Sequence, residues 1–212
     1  ADSEVFVTPM AAVAGAVADE MLETMLVEAK KPDSCIDHLR KIYVNNGGDI
    51  AFWLNEGESF SIGVVDNPQI PELNAKVSLA HESQVRGIAT SGWRGRSLSL
   101  GIADAVTVLA KSAAVADVAA TLIANEVIVD FTGIEKRPAS EVKDDSDLGM
   151  IPVTVVVPDL AEDKIYIALE QGAKSARKFI KDGKITAAYL SLQKQTLVIE
   201  NDDKIERAII NN

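Results

Sequence analysis

One carboxylate inside an apolar helix constrains this chain most. The run from Ser112 to Ala124 consists almost wholly of small apolar residues, and Asp117 lies near its centre. Small apolar residues on every face predict a helix that is packed on all sides. A carboxylate in such a helix is desolvated, which costs free energy unless it is paired, hydrogen-bonded or bound to a metal. Asp117 therefore needs a partner.

A hydroxyl lies where it could join Asp117. Thr121 follows four residues later, on the same helical face and one turn along. A carboxylate and a hydroxyl aligned in this way offer two hard oxygen ligands, which suit Mg²⁺ or Ca²⁺. The alternatives are that Asp117 caps a neighbouring element or pairs with a buried arginine, since structural networks also hold buried carboxylates. The residues alone leave these interpretations open.

Charge and cysteine content exclude several classes of function. The chain has 212 residues, with 21 Lys and Arg against 32 Asp and Glu, and a net charge of −11. This charge argues against broad nucleic-acid binding and against adsorption to anionic membranes. The single cysteine, Cys35, allows neither an intramolecular disulfide nor a thiolate-rich metal site. No apolar segment is long and clean enough to span a bilayer. We expect a cytoplasmic protein. The sequence begins at Ala1 rather than Met, which leaves open whether an upstream segment was removed.

The pattern of hydrophobic residues, caps and turns predicts an α+β fold. A helix begins at Thr8–Pro9, a second is capped by Ser112, and an amphipathic third covers 161–181. A short helix is expected around 35–40 and loops at 67–71 and 136–148, the latter solvated and mobile. Strands are predicted at 41–44, 50–54, 60–65, 75–80, 87–90, 105–110, 127–131, 153–157, 185–192 and 196–199. The pairs 50–54 with 60–65 and 185–192 with 196–199 are expected to form hairpins. Strands that come mostly as hairpins favour α+β over a doubly wound sheet.

Two glycine-containing segments are candidate ligand sites. The turn at Gly47, Gly48 and Asp49 lets a ligand approach the backbone, and its carboxylate could accept from a ribose or base edge. A plain tight turn is the alternative. Thr90 and Ser91 place two hydroxyls beside a glycine at a strand end, a group that can hold phosphate together with backbone N–H groups.

Three charged residues near the second segment have two interpretations each. Arg94 and Arg96 form a local positive charge that could meet a phosphate or carboxylate. The alternative is that both are solvated and pair with surface carboxylates. Asp104 begins a predicted buried strand and could share a cation with Asp117. Capping of that strand explains it equally well.

Taken together, these segments resemble the ApbE-like superfamily, whose best-known members are Mg²⁺-dependent FAD:protein FMN transferases. The resemblance rests on residues 10–19, the Gly-Gly-Asp turn at 47–49, the Ala-Thr-Ser-Gly segment at 89–92, and the helix with its preceding strand at 106–121. These motifs occur in the family's order and with its rough spacing. The match is closer to an uncharacterised branch of that superfamily, including Gly101–Val108.

The resemblance implies a fold and a site. It implies a single ApbE-like, T-fold-like α+β domain over 1–212, with antiparallel sheets and packed helices and with the family's N-terminal portion absent or shortened. It implies Asp117 and Thr121 as side-chain ligands of Mg²⁺ and the Ala11 carbonyl as a third ligand. The residues that would line the flavin or nucleotide site are Gly47, Gly48, Asp49, Thr90 and Ser91.

Two departures from the transferase pattern bear on activity. Ala14 stands where the transferases carry a lysine, and no histidine follows the segment at 89–92. Phosphoryl-type transfer needs charge stabilisation and proton handling near the ion. We expect binding of a small phosphate-bearing ligand, such as FAD or FMN, beside Mg²⁺. The alternatives are nucleotidyl or phosphoryl transfer that uses Arg94 or Arg96, a non-enzymatic flavin carrier, and a scaffold without the site. The small-residue helix at 10–18 could pack within the chain or between subunits of a homo-oligomer.

Overall fold

The computed structural model describes residues 7–31, 38–67, 70, 72–200 and 209–211. A 3₁₀ turn at Pro9–Ala12 leads into α1, and the helices are α1 (Val13–Ala29), α2 (Ala113–Glu126), α3 (Ala139–Val142) and α4 (Glu162–Lys181). The strands are β1 (Lys41–Asn46), β2 (Asp49–Leu54), β3 (Ser59–Val64), β4 (Ala75–Ala80), β5 (Gly87–Ser91), β6 (Ala105–Ala110), β7 (Glu135–Pro138), β8 (Pro152–Val156), β9 (Ile185–Leu192), β10 (Gln195–Glu200) and β11 (Ile209–Asn211). All described strand pairs are antiparallel, so the predicted α+β class is confirmed.

A six-stranded sheet in the order β1-β2-β5-β6-β9-β10 separates two hydrophobic layers. On one face, residues such as Val106 and Leu190 pack against the apolar sides of α2 and α4. On the other face, Ile88 and Tyr189 pack against the β3–β4 part of a three-stranded sheet that also contains β11. The alternation of side chains along each strand supplies both layers.

The N-terminal ends of α1 and α2 meet closely and cap each other. A Cβ added at Gly15 would lie 2.4 Å from the Ala113 carbonyl oxygen, so only glycine allows this approach. Asp19 accepts hydrogen bonds from the backbone N–H groups of Ala113 and Ala114, both at 2.9 Å. Asp117 in turn accepts from the backbone N–H of Gly15 at 3.0 Å. The small residues of the 10–18 segment therefore serve close packing within the chain.

The predicted hairpin of 50–54 with 60–65 is wrong. Both strands and the intervening turn exist, with Glu58 donating to the Asn55 carbonyl at 3.0 Å. However, β2 pairs with β1 and β5, whereas β3 pairs with β4 in the other sheet. The burial patterns explain the separation, because β2 is half-buried or buried at every position while β3 alternates between exposed and covered positions.

Two further predictions fail where long-range packing overrides local pattern. Residues 127–131 form no strand, although Val127 is buried and its carbonyl accepts from the Ile102 N–H at 2.8 Å. The predicted loop at 136–148 contains most of β7 and all of α3, and Ala139 is buried there. The helix expected around 35–40 lies partly outside the described residues, and 38–40 are not helical. The loop at 67–71 also lies largely outside them.

Most of the other elements agree with the sequence prediction. However, β11 has no counterpart in it, and Thr8 makes no side-chain capping bond to the 3₁₀ turn that precedes α1. Ser112 caps α2 by accepting from the Val115 N–H at 3.3 Å. Helix α4 ends at Lys181, with Asp182 as its C-cap, and Gly183 follows with φ +68°. The β9–β10 hairpin is confirmed. Within the described ranges, no helix is both long and apolar enough to cross a membrane. Assembly into a homo-oligomer stays a prediction.

Candidate functional site

Most of the sequence-predicted site residues line one cavity of about 760 Å³. The cavity lies where the start of α1, the β1–β2 turn, the end of β5 and the middle of α2 meet. Those predicted residues are Ala11, Gly47, Gly48, Asp49, Thr90, Ser91, Arg96, Asp117 and Thr121. The turn at 45–49 and the segment at 89–92 therefore share one pocket, as expected. Arg94 is not among the lining residues.

Asp117 acts as a cap for α1 and also faces the cavity. One carboxylate oxygen accepts from Gly15, and the backbone N–H of Ala14 also interacts with the carboxylate. Burial raises the pKa of Asp117, and these backbone N–H groups oppose the rise. Capping of a neighbouring element is thus one role of this side chain, and no arginine among the described residues forms an ion pair with it. Thr121 lines the same cavity one helical turn further along.

Asp49 places a second carboxylate close to Asp117. Burial raises the pKa of Asp49 to about 7, the negative charge of Asp117 adds to the rise, and the Thr90 N–H and Arg96 oppose it. Oδ1 of Asp49 is buried and has no hydrogen-bond partner among the described residues. Two carboxylates that repel each other, one of them with an unsatisfied oxygen, provide a setting that a cation would stabilise.

The oxygen atoms in this cavity suit a hard cation rather than a soft one. The described residues contain no group of three or more His, Cys, Asp or Glu side chains able to hold a metal ion. A cation here would have to use the two carboxylates together with the Thr121 hydroxyl and the Ala11 carbonyl. Mixed carboxylate, hydroxyl and carbonyl oxygens are typical of Mg²⁺ and Ca²⁺ sites.

The β1–β2 turn holds an arginine against its backbone. Gly47 and Gly48 have φ of +74° and +115°, and the Gly48 N–H donates to the Asn45 side chain at 2.8 Å. A Cβ at Gly47 would lie 1.6 Å from Nη2 of Arg96, so the guanidinium occupies the space that the missing side chain leaves. Gly48 has open space at the same position. The first glycine thus serves both the turn and the arginine.

Arg94 is directed to a different partner. Its Nε donates to Asp104 at 2.6 Å, and its guanidinium lies 4.6 Å from the centre of the Trp93 ring. Asp104 is only 9% exposed and also accepts from the Trp93 indole N–H and the Gln193 backbone N–H. The Asp104 carboxylate, which borders the cavity, is therefore already satisfied by the protein. It joins the loop after β5 to the β9–β10 turn.

Sequence reasoning missed the contribution of a distant loop. Lys143, Asp145 and Asp147 line the same cavity, and the Thr8 hydroxyl donates to Asp147. The lysine amino group lies 3.8 Å from Asp145. The run from 143 to 147 has the composition of a solvated loop, so no local signal placed it at this cavity. Ala14, where the transferase pattern has a lysine, lines the same cavity.

Comparisons with known proteins show where this chain belongs. A family model described as AbpE bacteria matches residues 1–207. A UPF0280 protein of Methanobrevibacter smithii is 38% identical over 123 residues, which cover 58% of this chain and 47% of the relative. A UPF0280 protein of Methanopyrus kandleri is 34% identical over 151 residues, or 71% and 56% of the two chains. The chain spans about half the length of these curated relatives.

Proposed function

We propose that this chain, which belongs to the family described as AbpE bacteria, binds a small phosphate-bearing ligand beside a divalent cation. A flavin nucleotide is the leading candidate for the ligand. The observation that carries the proposal is the pairing of Asp49 and Asp117 in one cavity, with a buried oxygen of Asp49 that lacks a partner. A bound cation would offset the repulsion between the two carboxylates and satisfy that oxygen.

Cationic and hydroxyl groups beside the carboxylates support a phosphate in the same cavity. Arg96 and Lys143 are the cationic side chains that line the cavity within the described part of the chain. Thr90 and Thr107 share a hydrogen bond of 2.8 Å between their hydroxyls, which leaves further acceptor and donor capacity. A divalent cation would supply additional positive charge for phosphate oxygens. Arg94, which the sequence pattern grouped with Arg96, is committed to Asp104.

We extend the proposal to a relationship with the ApbE-like superfamily. Its support is the order of the matched motifs and the convergence of their residues on one cavity. The transferase lysine is replaced by Ala14, and no histidine follows Gly92. Lys143, which follows α3, lines the same cavity, so a lysine is present there although Ala14 stands at the position of the transferase lysine. Three forms of the proposed function have to be distinguished: a transferase, a flavin carrier, and a scaffold that has neither activity.

Calorimetric titration with MgCl₂ tests the cation part of the proposal. The variant Asp117→Asn keeps a carbonyl oxygen that can cap α1 but removes a charge. We expect it to lower Mg²⁺ affinity by at least about 10-fold, because a charged ligand is lost. Asp182→Asn, which changes an exposed carboxylate at the end of α4, is the matched control. Equal Mg²⁺ affinity in all three proteins would refute the cation site.

Incubation with FAD and Mg²⁺ separates the functional versions. Release of AMP supports transfer chemistry. Binding of FAD or FMN without AMP release supports a carrier. Absence of both flavin binding and Mg²⁺ binding leaves only the scaffold. The same assay on Arg96→Ala tests whether the ligand binds in this cavity. Loss of the guanidinium should weaken binding of any phosphate ligand that lies there.

A further inference from the structure

A second buried carboxylate with an unsatisfied oxygen lies on another wall of the same cavity. Asp66 follows β3, is 9% exposed and lines the cavity. Its Oδ2 accepts from the Tyr189 hydroxyl at 3.0 Å and from the Ser191 hydroxyl at 2.6 Å. Its Oδ1 is buried and has no hydrogen-bond partner among the described residues. An acceptor oxygen in this position is costly unless a ligand donates to it.

The two hydroxyl groups hold Asp66 as an acceptor. Tyr189 and Ser191 are 0% and 1% exposed and lie two residues apart on one face of β9. Burial, followed by the charge of Asp66, raises the pKa of Tyr189, so its hydroxyl keeps its proton and donates. The Asp66 backbone N–H also donates to the Asn74 side chain at 2.9 Å. The two hydroxyl groups fix one carboxylate oxygen of Asp66, and no described residue donates to the other.

This wall is well separated from the cation end of the cavity. In the sheet order, β9 lies three strands away from β2, which begins at Asp49. Neighbouring strands are about 4.8 Å apart, so the backbones of β2 and β9 are about 14 Å apart across the sheet. Burial raises the pKa of Asp66, the hydrogen bonds from Ser191 and Tyr189 oppose the rise, and the negative charge of Asp104 adds to it. Negative charge here disfavours phosphate and favours a group that carries an N–H donor.

We propose that Asp66 is the specificity residue that accepts a hydrogen bond from an N–H donor on the base of a nucleotide whose phosphate lies at the Arg96 end. The inference rests on the function proposed above and narrows its ligand class from any small phosphate ester to a nucleotide. Tyr189 and Ser191 are positioning residues, because they act through Asp66. The structural role of Asp66, joining the end of β3 to β9, uses only Oδ2 and does not account for Oδ1.

The variant Asp66→Asn tests the inference because it reverses hydrogen-bonding capacity at constant shape. With Tyr189 and Ser191 donating to the amide oxygen, the amide NH₂ would replace Oδ1, so an acceptor becomes a donor. The probes are FMN, UMP and AMP, which carry N–H donors on the base, and ribose 5-phosphate, which has no base. Dissociation constants are measured by calorimetry with MgCl₂ present, and thermal unfolding checks that each variant is folded.

We expect at least one nucleotide to bind the wild-type protein more tightly than ribose 5-phosphate does. In Asp66→Asn that advantage should fall by about 10- to 100-fold, the range for loss of a hydrogen bond to a charged group, while ribose 5-phosphate affinity stays unchanged. Tyr189→Phe should reduce the same ratio by a smaller factor. Asp182→Asn, the exposed control, should leave it unchanged.

The outcomes separate this inference from the proposed function. If ribose 5-phosphate binds as tightly as every nucleotide, or if Asp66→Asn leaves the ratio unchanged, the base-recognition inference fails and the phosphate site stands. Equal weakening of all four probes would assign Asp66 a structural role only and would also refute the inference. If none of the probes binds the wild-type protein, both proposals fail.

Discussion

The raised pKa of Asp49 makes a quantitative prediction about the metal-free protein. Its pKa is about 7 in the folded chain, against the usual 3.8. Between these two values the folded protein holds a proton that the unfolded chain has released, so stability falls as pH rises through this window. The loss should be complete above about pH 8, where Asp49 is ionised in both states.

The size of the effect follows from the pKa difference. Most of the window lies between about pH 5 and the folded-state pKa, and each pH unit there corresponds to about 1.36 kcal/mol. Ionisation of Asp49 over this interval therefore lowers the free energy of unfolding by about 2 to 3 kcal/mol before solvent screening is considered. Asp49 is only partly buried, and solvent screens part of this cost. We expect a loss on the order of 2 kcal/mol in the free energy of unfolding between about pH 5 and pH 8.

Denaturant unfolding of wild type and Asp49→Asn at both pH values, in EDTA, measures this loss. The wild-type protein and the variant are compared by the change in their free energy of unfolding between the two pH values. The difference between these changes reports the contribution of Asp49, because most other groups titrate in the same way in both proteins. The wild-type protein should lose more stability than the variant as pH rises. Adding about 10 mM MgCl₂ should reduce the wild-type loss, because a bound cation stabilises the ionised pair. Parallel pH profiles in EDTA would refute the burial argument, and an unchanged profile with MgCl₂ would count against the cation site.

Three further predictions concern the surrounding residues and activity. Gly47→Ala should displace Arg96 and weaken FMN binding, whereas Gly48→Ala, at the neighbouring positive-φ position, should reduce stability but leave the arginine in place. Calorimetry measures FMN affinity and thermal unfolding measures stability, and equal FMN affinity in the two variants would contradict this prediction. Arg94→Ala should lower the free energy of unfolding by about 1 to 3 kcal/mol, because the buried Asp104 carboxylate loses its half-buried ion-pair partner. Unchanged denaturation midpoints would contradict this. FMN transfer to a threonine-containing target peptide should be slow or absent, since losing one charge-stabilising group costs about 10²- to 10³-fold in rate, and robust flavinylation by mass spectrometry would overturn this expectation.

Local sequence determined the elements whose signals lie within a few residues. Ser112 caps α2 because its own side chain reaches the Val115 N–H, and Gly183 follows the end of α4 because its φ of +68° suits glycine. The β9–β10 hairpin was predictable from two apolar runs, 185–192 and 196–199, separated by three polar residues. The family resemblance grouped eight of the candidate site residues, and all eight line one cavity. Arg94 and Arg96 were grouped by local charge, and of these two only Arg96 lines the cavity.

Only the tertiary structure decided which partners the charged side chains have. The sequence could show that Asp117 needs a partner, but Gly15, whose N–H it accepts from, lies 102 residues away. Arg94 and Arg96 look equivalent in the sequence, yet one pairs with Asp104 and the other lies against Gly47. Asp66 reaches hydroxyls 123 and 125 residues further along the chain. Burial and hydrogen bonding depend on which segments pack together, and the packing of distant segments leaves no local pattern in the residues themselves.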